Sequence, residues 1–176
     1  MDILVIDQCS GAKEYKGDVE SLDAETLDTH SKEELLDRPQ MPARKARNLY
    51  AGRQQQYINE AVDSLRANGD TVDRYFISAG FGVVEETELL PPYDVTFADY
   101  SAAEIRERGD RLGIEQDLLD LVDAEYDIVF FAIGSNYAES FDLERVLAAI
   151  SADTWAVCFN AEAVTEGFNN ALSIPA

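Results

Sequence analysis

Met1-Asp2-Ile3-Leu4-Val5-Ile6-Asp7-Gln8-Cys9-Ser10-Gly11-Ala12-Lys13 opens the chain. The unbroken apolar run from Ile3 to Ile6, closed by Asp7, reads as a strand covered on both faces, because a strand wet on one side would alternate. Runs of the same kind, rich in β-branched and aromatic residues, recur at 72–78, 127–133 and 154–159. The first three are followed by short loops of small residues: Cys9-Ser10-Gly11, Ser78-Ala79-Gly80-Phe81-Gly82 and Gly134-Ser135-Asn136-Tyr137.

Helical spacing fills the intervals. Residues 43–68 carry Ala46, Tyr50, Tyr57, Ile58, Ala61, Val62 and Leu65 at roughly helical periodicity, close at Asn68-Gly69, and are divided or kinked by Gly52. Further helices are expected at 101–108, 114–124, 143–150 and 161–172. Strand and helix in alternation predict a three-layer α/β domain with a mostly parallel central sheet of about four strands. The chain of 176 residues is read as a single domain, 1–176, with an acidic surface insertion at 14–39 holding one short helix, where Ser31 and Glu34 suit a capping box.

Composition narrows the function classes. Asp and Glu number 35 against 14 Lys and Arg, a formal charge of −21, while 46% of residues are hydrophobic, enough for a real core. A field of that sign disfavours general affinity for phosphate backbones and anionic membranes. Four of the basic residues are Lys, and the spread of acids resembles adaptation to molar intracellular salt, as in a halophilic archaeon. No basic leader or long apolar span opens the sequence, so a cytoplasmic location with no membrane partner is expected.

Ligands of open parallel sheets bind outside the carboxyl ends of the strands. That rule selects Ser10, Lys13, Ser78, Gly80, Gly82, Asn136 and Tyr137 as candidate ligand-binding residues, the small ones because they let backbone amides approach an anion or a flat ligand. Cys9, just past a strand end and near Lys13, is a candidate nucleophile, and equally suits a small cysteine at the edge of the core. Pro91-Pro92-Tyr93-Asp94 places an aromatic ring that could stack on a base ahead of a carboxylate that could act as catalytic base or acceptor; a capped proline turn accounts for the same residues.

Residues 39–59 contain no acid, where about four are expected for this composition, and include Arg44, Lys45, Arg47 and Arg53. Arg44, Arg47 and Tyr50 therefore join the candidate ligand-binding set. Several chemistries are disfavoured. The single histidine, His30, lies in the acidic insertion, far from any plausible triad. Cys9 and Cys158 form no metal-binding cluster, so no metal is expected. Neither GxxxxGK[ST] nor GxGxxG is present, and no cofactor is expected.

Taken in order, Cys9-Ser10 with Lys13, Pro42-Ala43-Arg44 with Leu49-Tyr50, the stretch 76–84, and Pro92-Tyr93-Asp94-Val95-Thr96-Phe97 resemble a family of uncharacterised prokaryotic domains. These are distantly similar to the YaaA family of peroxide-stress proteins, whose Leu-Ser-Gly-x-Tyr-Gly-Leu-like, Pro-Tyr and Ala-Ser-Asn-x-Tyr-like motifs correspond to 77–84, Pro92-Tyr93 and Gly134-Ser135-Asn136-Tyr137. The likeness spans roughly 3–146 without the insertion and implies a link to stress protection and DNA binding. Ala79 stands where the YaaA pattern prefers Gly, and the chain is shorter and far more acidic.

Two functions follow as expectations. The first is a nucleotide- or nucleobase-type pocket at the strand ends, in a protein of nucleic-acid or nucleotide metabolism, with Lys13, Arg44 and Arg47 on phosphate, 78–82 against the ligand, Tyr93 stacked and Asp94 orienting. The second is a non-enzymatic, YaaA-like stress protein binding DNA through 38–53, or a protein-interaction module using that face.

Overall fold

Alternating buried runs and amphipathic stretches fold into three layers in a computed structural model that describes residues 1–15, 19–39 and 41–175. In chain order the elements are β1 (Asp2–Gln8), α1 (Ala24–Thr29), α2 (Lys32–Leu36), β2 (Arg44–Lys45), α3 (Ala46–Leu49), α4 (Arg53–Ala67), β3 (Thr71–Ser78), β4 (Gly82–Glu85) and β5 (Leu89–Leu90). A 3₁₀ turn (Phe97–Asp99), α5 (Ala102–Leu112), α6 (Ile114–Val122), β6 (Ile128–Phe131), α7 (Ser135–Ala138), α8 (Leu143–Ala149), β7 (Trp155–Phe159), α9 (Glu162–Thr165) and β8 (Ala171–Ile174) follow.

The main sheet has six strands in the order β4-β3-β1-β6-β7-β8. All neighbours are parallel except β4, which returns antiparallel on β3. The α/β class expected from sequence is thus found, with two strands beyond the expected four. One is β4, reached through a tight return in which Gly82 adopts φ 74°. A Cβ there would lie 2.9 Å from the carbonyl oxygen of Leu112, so backbone conformation and close packing both require glycine. The other is β8. The expected helix 161–172 stops at Thr165, because Gly167 and Asn169-Asn170 interrupt it and Ala171–Ile174 pairs with the open edge of β7.

The stretch 43–68 is divided at Gly52, one of the two outcomes expected there, and its first part is largely non-helical. Arg44-Lys45 pairs with β5, α3 makes one turn, and the long helix α4 starts only after Gly52, its N-cap.

Residues 16–18 of the expected insertion lie outside the described residues; the rest forms two short helices, not one. Asp23 caps α1, and Ser31 with Glu34 forms the anticipated capping box of α2. Nor is the segment merely superficial. Leu22, Leu27 and Leu35 are buried in the core, and the Leu22 backbone exchanges hydrogen bonds with Pro92 O and Asp94 N.

Strand alternation divides the core into two layers. Leu4 and Ile6 face the larger one, with Val129, Phe131, Ala156 and the buried sides of α5, α6 and α8. Ile3 and Val5 face the other way, onto Val62, Ile58 and Leu65 of α4.

Candidate functional site

In this strand order β1 is followed on one side by β3 and on the other by β6, so the direction of winding reverses between β1 and β6. Their carboxyl ends are therefore adjacent without a crossover bridging them, which opens a crevice. The loops after these strands line a cleft of about 370 Å³, formed by Gln8, Cys9, Ser10, Gly11, Thr96, Ala98 and Gly134–Tyr137. It holds Cys9, Ser10, Asn136 and Tyr137 of the expected set. Among the described residues, no Asp, Glu, Lys, Arg or His lines it.

Local bonds fix this geometry. The Cys9 amide donates to Ile77 O (2.9 Å) and the Gly134 amide to Gln8 Oε1 (2.6 Å), tying each strand-end loop to its neighbour. Cys9 Sγ and Tyr137 Oη lie 3.0 Å apart, and Tyr137 Oη also approaches Thr96 Oγ1 at 3.3 Å. Burial pushes the Tyr137 phenol well above its ordinary range, so it remains a neutral hydroxyl at physiological pH.

Behind the cleft lies a second, buried layer. Residues 12–14 run antiparallel to 49–51, which sets Lys13 opposite Tyr50. Lys13 Nζ sits over the Tyr93 ring, 4.4 Å from its centroid, and reaches Val95 O at 3.4 Å. The Tyr93 hydroxyl lies 2.7 Å from Tyr50 Oη and 2.8 Å from Ser78 Oγ. Ser78 Oγ in turn accepts the amides of Gly80 and Phe81. Burial raises both phenols far above their usual value. Burial also lowers the Lys13 ammonium, partly offset by Asp94 and by Cys9 when ionised.

This network revises several roles expected from the sequence. Tyr93 is 1% exposed, with Lys13 on its face and the Phe81 ring perpendicular to it at 5.1 Å between centroids, so its ring has no face left to stack on a base. Ser78 is fully buried, and the amides of the turn point into its hydroxyl, not toward a ligand. Gly80 abuts Tyr93 and Leu27, and Gly82 abuts Leu112; both are packing positions. Asp94 is exposed and lies outside the cleft lining.

Arg44 and Arg47 line a separate recess of about 650 Å³ with Lys45, Asn48, Tyr50 and Gln56. Both are already compensated. Arg44 pairs with Glu14 at 3.0 Å, and Arg47 with Asp63 at 3.1 Å and Glu86 at 3.7 Å. His30 is exposed and bonded within α1. Among the described residues no group of three His, Cys, Asp or Glu is placed to hold a metal ion, and no helix is long and apolar enough to cross a membrane.

The sequence reading missed one substantial feature, the platform beneath the cleft. Asp7 and Arg74 form a fully buried ion pair, Oδ2 to Nη2 2.6 Å. Gln54 and Gln55 of α4 donate to Asp7 Oδ1 at 3.3 Å and to the Ala132 and Gln8 carbonyls at 2.7 and 3.0 Å. The signal was present as an Asp closing a buried strand and three glutamines opening a helix. Gln8 and Ser135 were legible by their position after strands; nothing local marks Thr96. Comparison of the chain with known protein families, with curated proteins and with solved structures finds no match.

Proposed function

We propose that the strand-end cleft binds a nucleobase or nucleoside and that the protein acts in nucleotide or nucleic-acid metabolism. The observation that carries this reading is the position of the cleft, at the reversal of strand order where doubly wound sheets bind ligands. Its volume of about 370 Å³ falls in the range of small-molecule sites. Its lining also suits the chemistry. Thr96, Ser135, Asn136 and the Tyr137 hydroxyl offer donors and acceptors for the edge of a base, and Cys9 stands among them as the candidate nucleophile.

The absence of charged side chains from the lining among the described residues favours the base or nucleoside over a nucleotide. Arg44 and Arg47, expected on phosphate, lie in the neighbouring recess against carboxylates. The same pairing weakens the case for DNA contact through 38–53. Of the motifs that carry the likeness to YaaA proteins, the late one sets Tyr137 against Cys9 in the cleft, while Ser78 and Tyr93 lie with Lys13 in the buried layer behind it.

Calorimetric titration with free bases, nucleosides and their monophosphates tests the proposal. A base or nucleoside should bind, and Asn136→Ala should weaken it about tenfold or more, as expected when a bidentate contact is lost. Absence of binding by every base and nucleoside, or affinity indifferent to Asn136→Ala and Cys9→Ala, would overturn it. Duplex DNA bound with a steep salt dependence would assign the function to the alternative surface.

A further inference from the structure

Parallel sheets of this kind are ordinarily covered by helices on both faces. Here the face carrying Ile3 and Val5 is covered by α4 over β1 and β3, while the strands beyond remain open. By register, Ile128 and Phe130 of β6, Trp155, Val157 and Phe159 of β7, and Leu172 and Ile174 of β8 share that face. Trp155 is 49% exposed, and Leu172 and Ile174 are each 39% exposed. Between α4 and this open sheet runs a groove of about 640 Å³, floored by Phe130, Ile133 and Phe159 and walled by Tyr57, Ala61 and Leu65.

The groove is apolar along its length and charged at one end. Arg53, the first residue of α4, is the only charged side chain lining it among the described residues. Arg53 donates to Tyr57 Oη and lies over that ring, but among the described residues it has no carboxylate within ion-pair distance, unlike Arg44, Arg47, Arg66, Arg74, Arg106, Arg108, Arg111 and Arg145. Beside it, the amino end of α4, a helix of 15 residues, has Gly52 as N-cap and no side-chain cap. In a chain of formal charge −21, an uncompensated guanidinium beside uncapped amides marks a place where one negative charge is accepted. From Arg53 to Leu65 the helix rises about 18 Å, the length of an extended hydrocarbon chain.

We propose that this groove binds a single-chain carboxylate amphiphile of the fatty-acid class, with its head on Arg53 and its tail along α4 over Phe130. The single guanidinium matches a single negative charge, and most of the lining is apolar; its uncharged polar side chains are Gln54, already bonded to Asp7 and Ala132 O, Tyr57 and Asn160. The site is distinct in chemistry from the neutral strand-end cleft, and the two meet only at Gly134.

Decanoate and laurate, titrated below their micelle concentrations into the whole chain, test this by calorimetry and by the emission of Trp155, the single tryptophan. The expected result is one molecule bound per chain with a shift in Trp155 emission. Arg53→Gln, an exposed position, should weaken laurate about tenfold or more while leaving the weaker binding of 1-decanol unchanged.

Three results would overturn the proposal. The first is absence of binding, and the second is binding of several molecules per chain indifferent to Arg53→Gln. The third is a groove already occupied, seen either as a dimer that excludes laurate or as an amphipathic Leu/Glu helical peptide that binds where laurate does not.

Discussion

The sulfur of Cys9 and the phenolic oxygen of Tyr137 lie 3.0 Å apart, buried, although 128 residues separate them. The contact joins the loop after β1 to the loop after β6 and so closes the floor of the cleft. Each of Cys9→Ala and Tyr137→Phe should destabilise the fold by about 1 kcal/mol or more. In a double-mutant cycle followed by urea unfolding the two should couple by about 0.5–1.5 kcal/mol. Simple additivity would contradict the contact.

Arg74 and Asp7 carry opposite charges at complete burial. Arg74→Met leaves a carboxylate without its cation beneath the cleft and should cost about 3–5 kcal/mol in urea unfolding. Removing both charges, as Asp7→Leu with Arg74→Met, should recover a large part of that loss, because the desolvation cost disappears with the charges. A single variant as stable as the parent would show that the pair is solvated.

Tyr93→Phe separates structure from binding. It removes the hydroxyl shared by Tyr50 and Ser78 and should lower stability by about 1–3 kcal/mol, the cost of leaving buried polar groups unpaired. Affinity for the cleft ligand should hold within about threefold, since the ring never reaches it. A large loss of affinity at unchanged stability would restore Tyr93 to the binding surface.

Alkaline pH should destabilise the protein. Burial pushes the Cys158 thiol up from an ordinary 9.0 to about 11, and Tyr15 up from 10.0 to about 12. For acids whose folded value is raised, the stability contribution is complete below the unfolded value and is lost as pH rises through the folded one. Urea midpoints should therefore fall from about pH 9 through about pH 11–12, and Cys158→Ala should flatten the lower part of that fall.

The strands at 72–78 and 154–159 were legible from their runs of β-branched and aromatic residues, which persist even where, as on β7, one face is left open and Trp155 is 49% exposed. β4 and β8 were not, since an edge strand of four residues carries too little periodicity to stand out from a turn or a helix end. The rule that ligands gather at strand ends picked out Cys9, Ser10, Asn136 and Tyr137, which line the cleft. It also picked out Ser78 and Gly80, which pack against Tyr93 of the Pro-Pro-Tyr-Asp segment, because a Ser/Gly turn that packs on an aromatic reads like one that cradles a ligand. The four cations of 39–59 stood out as unopposed in sequence. Space supplied Glu14, Asp63 and Glu86 from elsewhere for Arg44 and Arg47, leaving Lys45 and Arg53 without a carboxylate within ion-pair distance among the described residues.

The place of β1 in the sheet has a further consequence, for biosynthesis. β1 is made before both of its neighbours in the sheet, and it pairs with residues 71–77 on one side and 128–131 on the other. At about 5–20 residues per second, roughly 6–25 s pass between synthesis of Gln8 and of Phe131. Throughout that interval Ile3 to Ile6 have at most one neighbouring strand. The strand-end cleft therefore comes into existence only after Asn136 and Tyr137 have been made, and until then the apolar run Ile3 to Ile6 waits without its full set of neighbours.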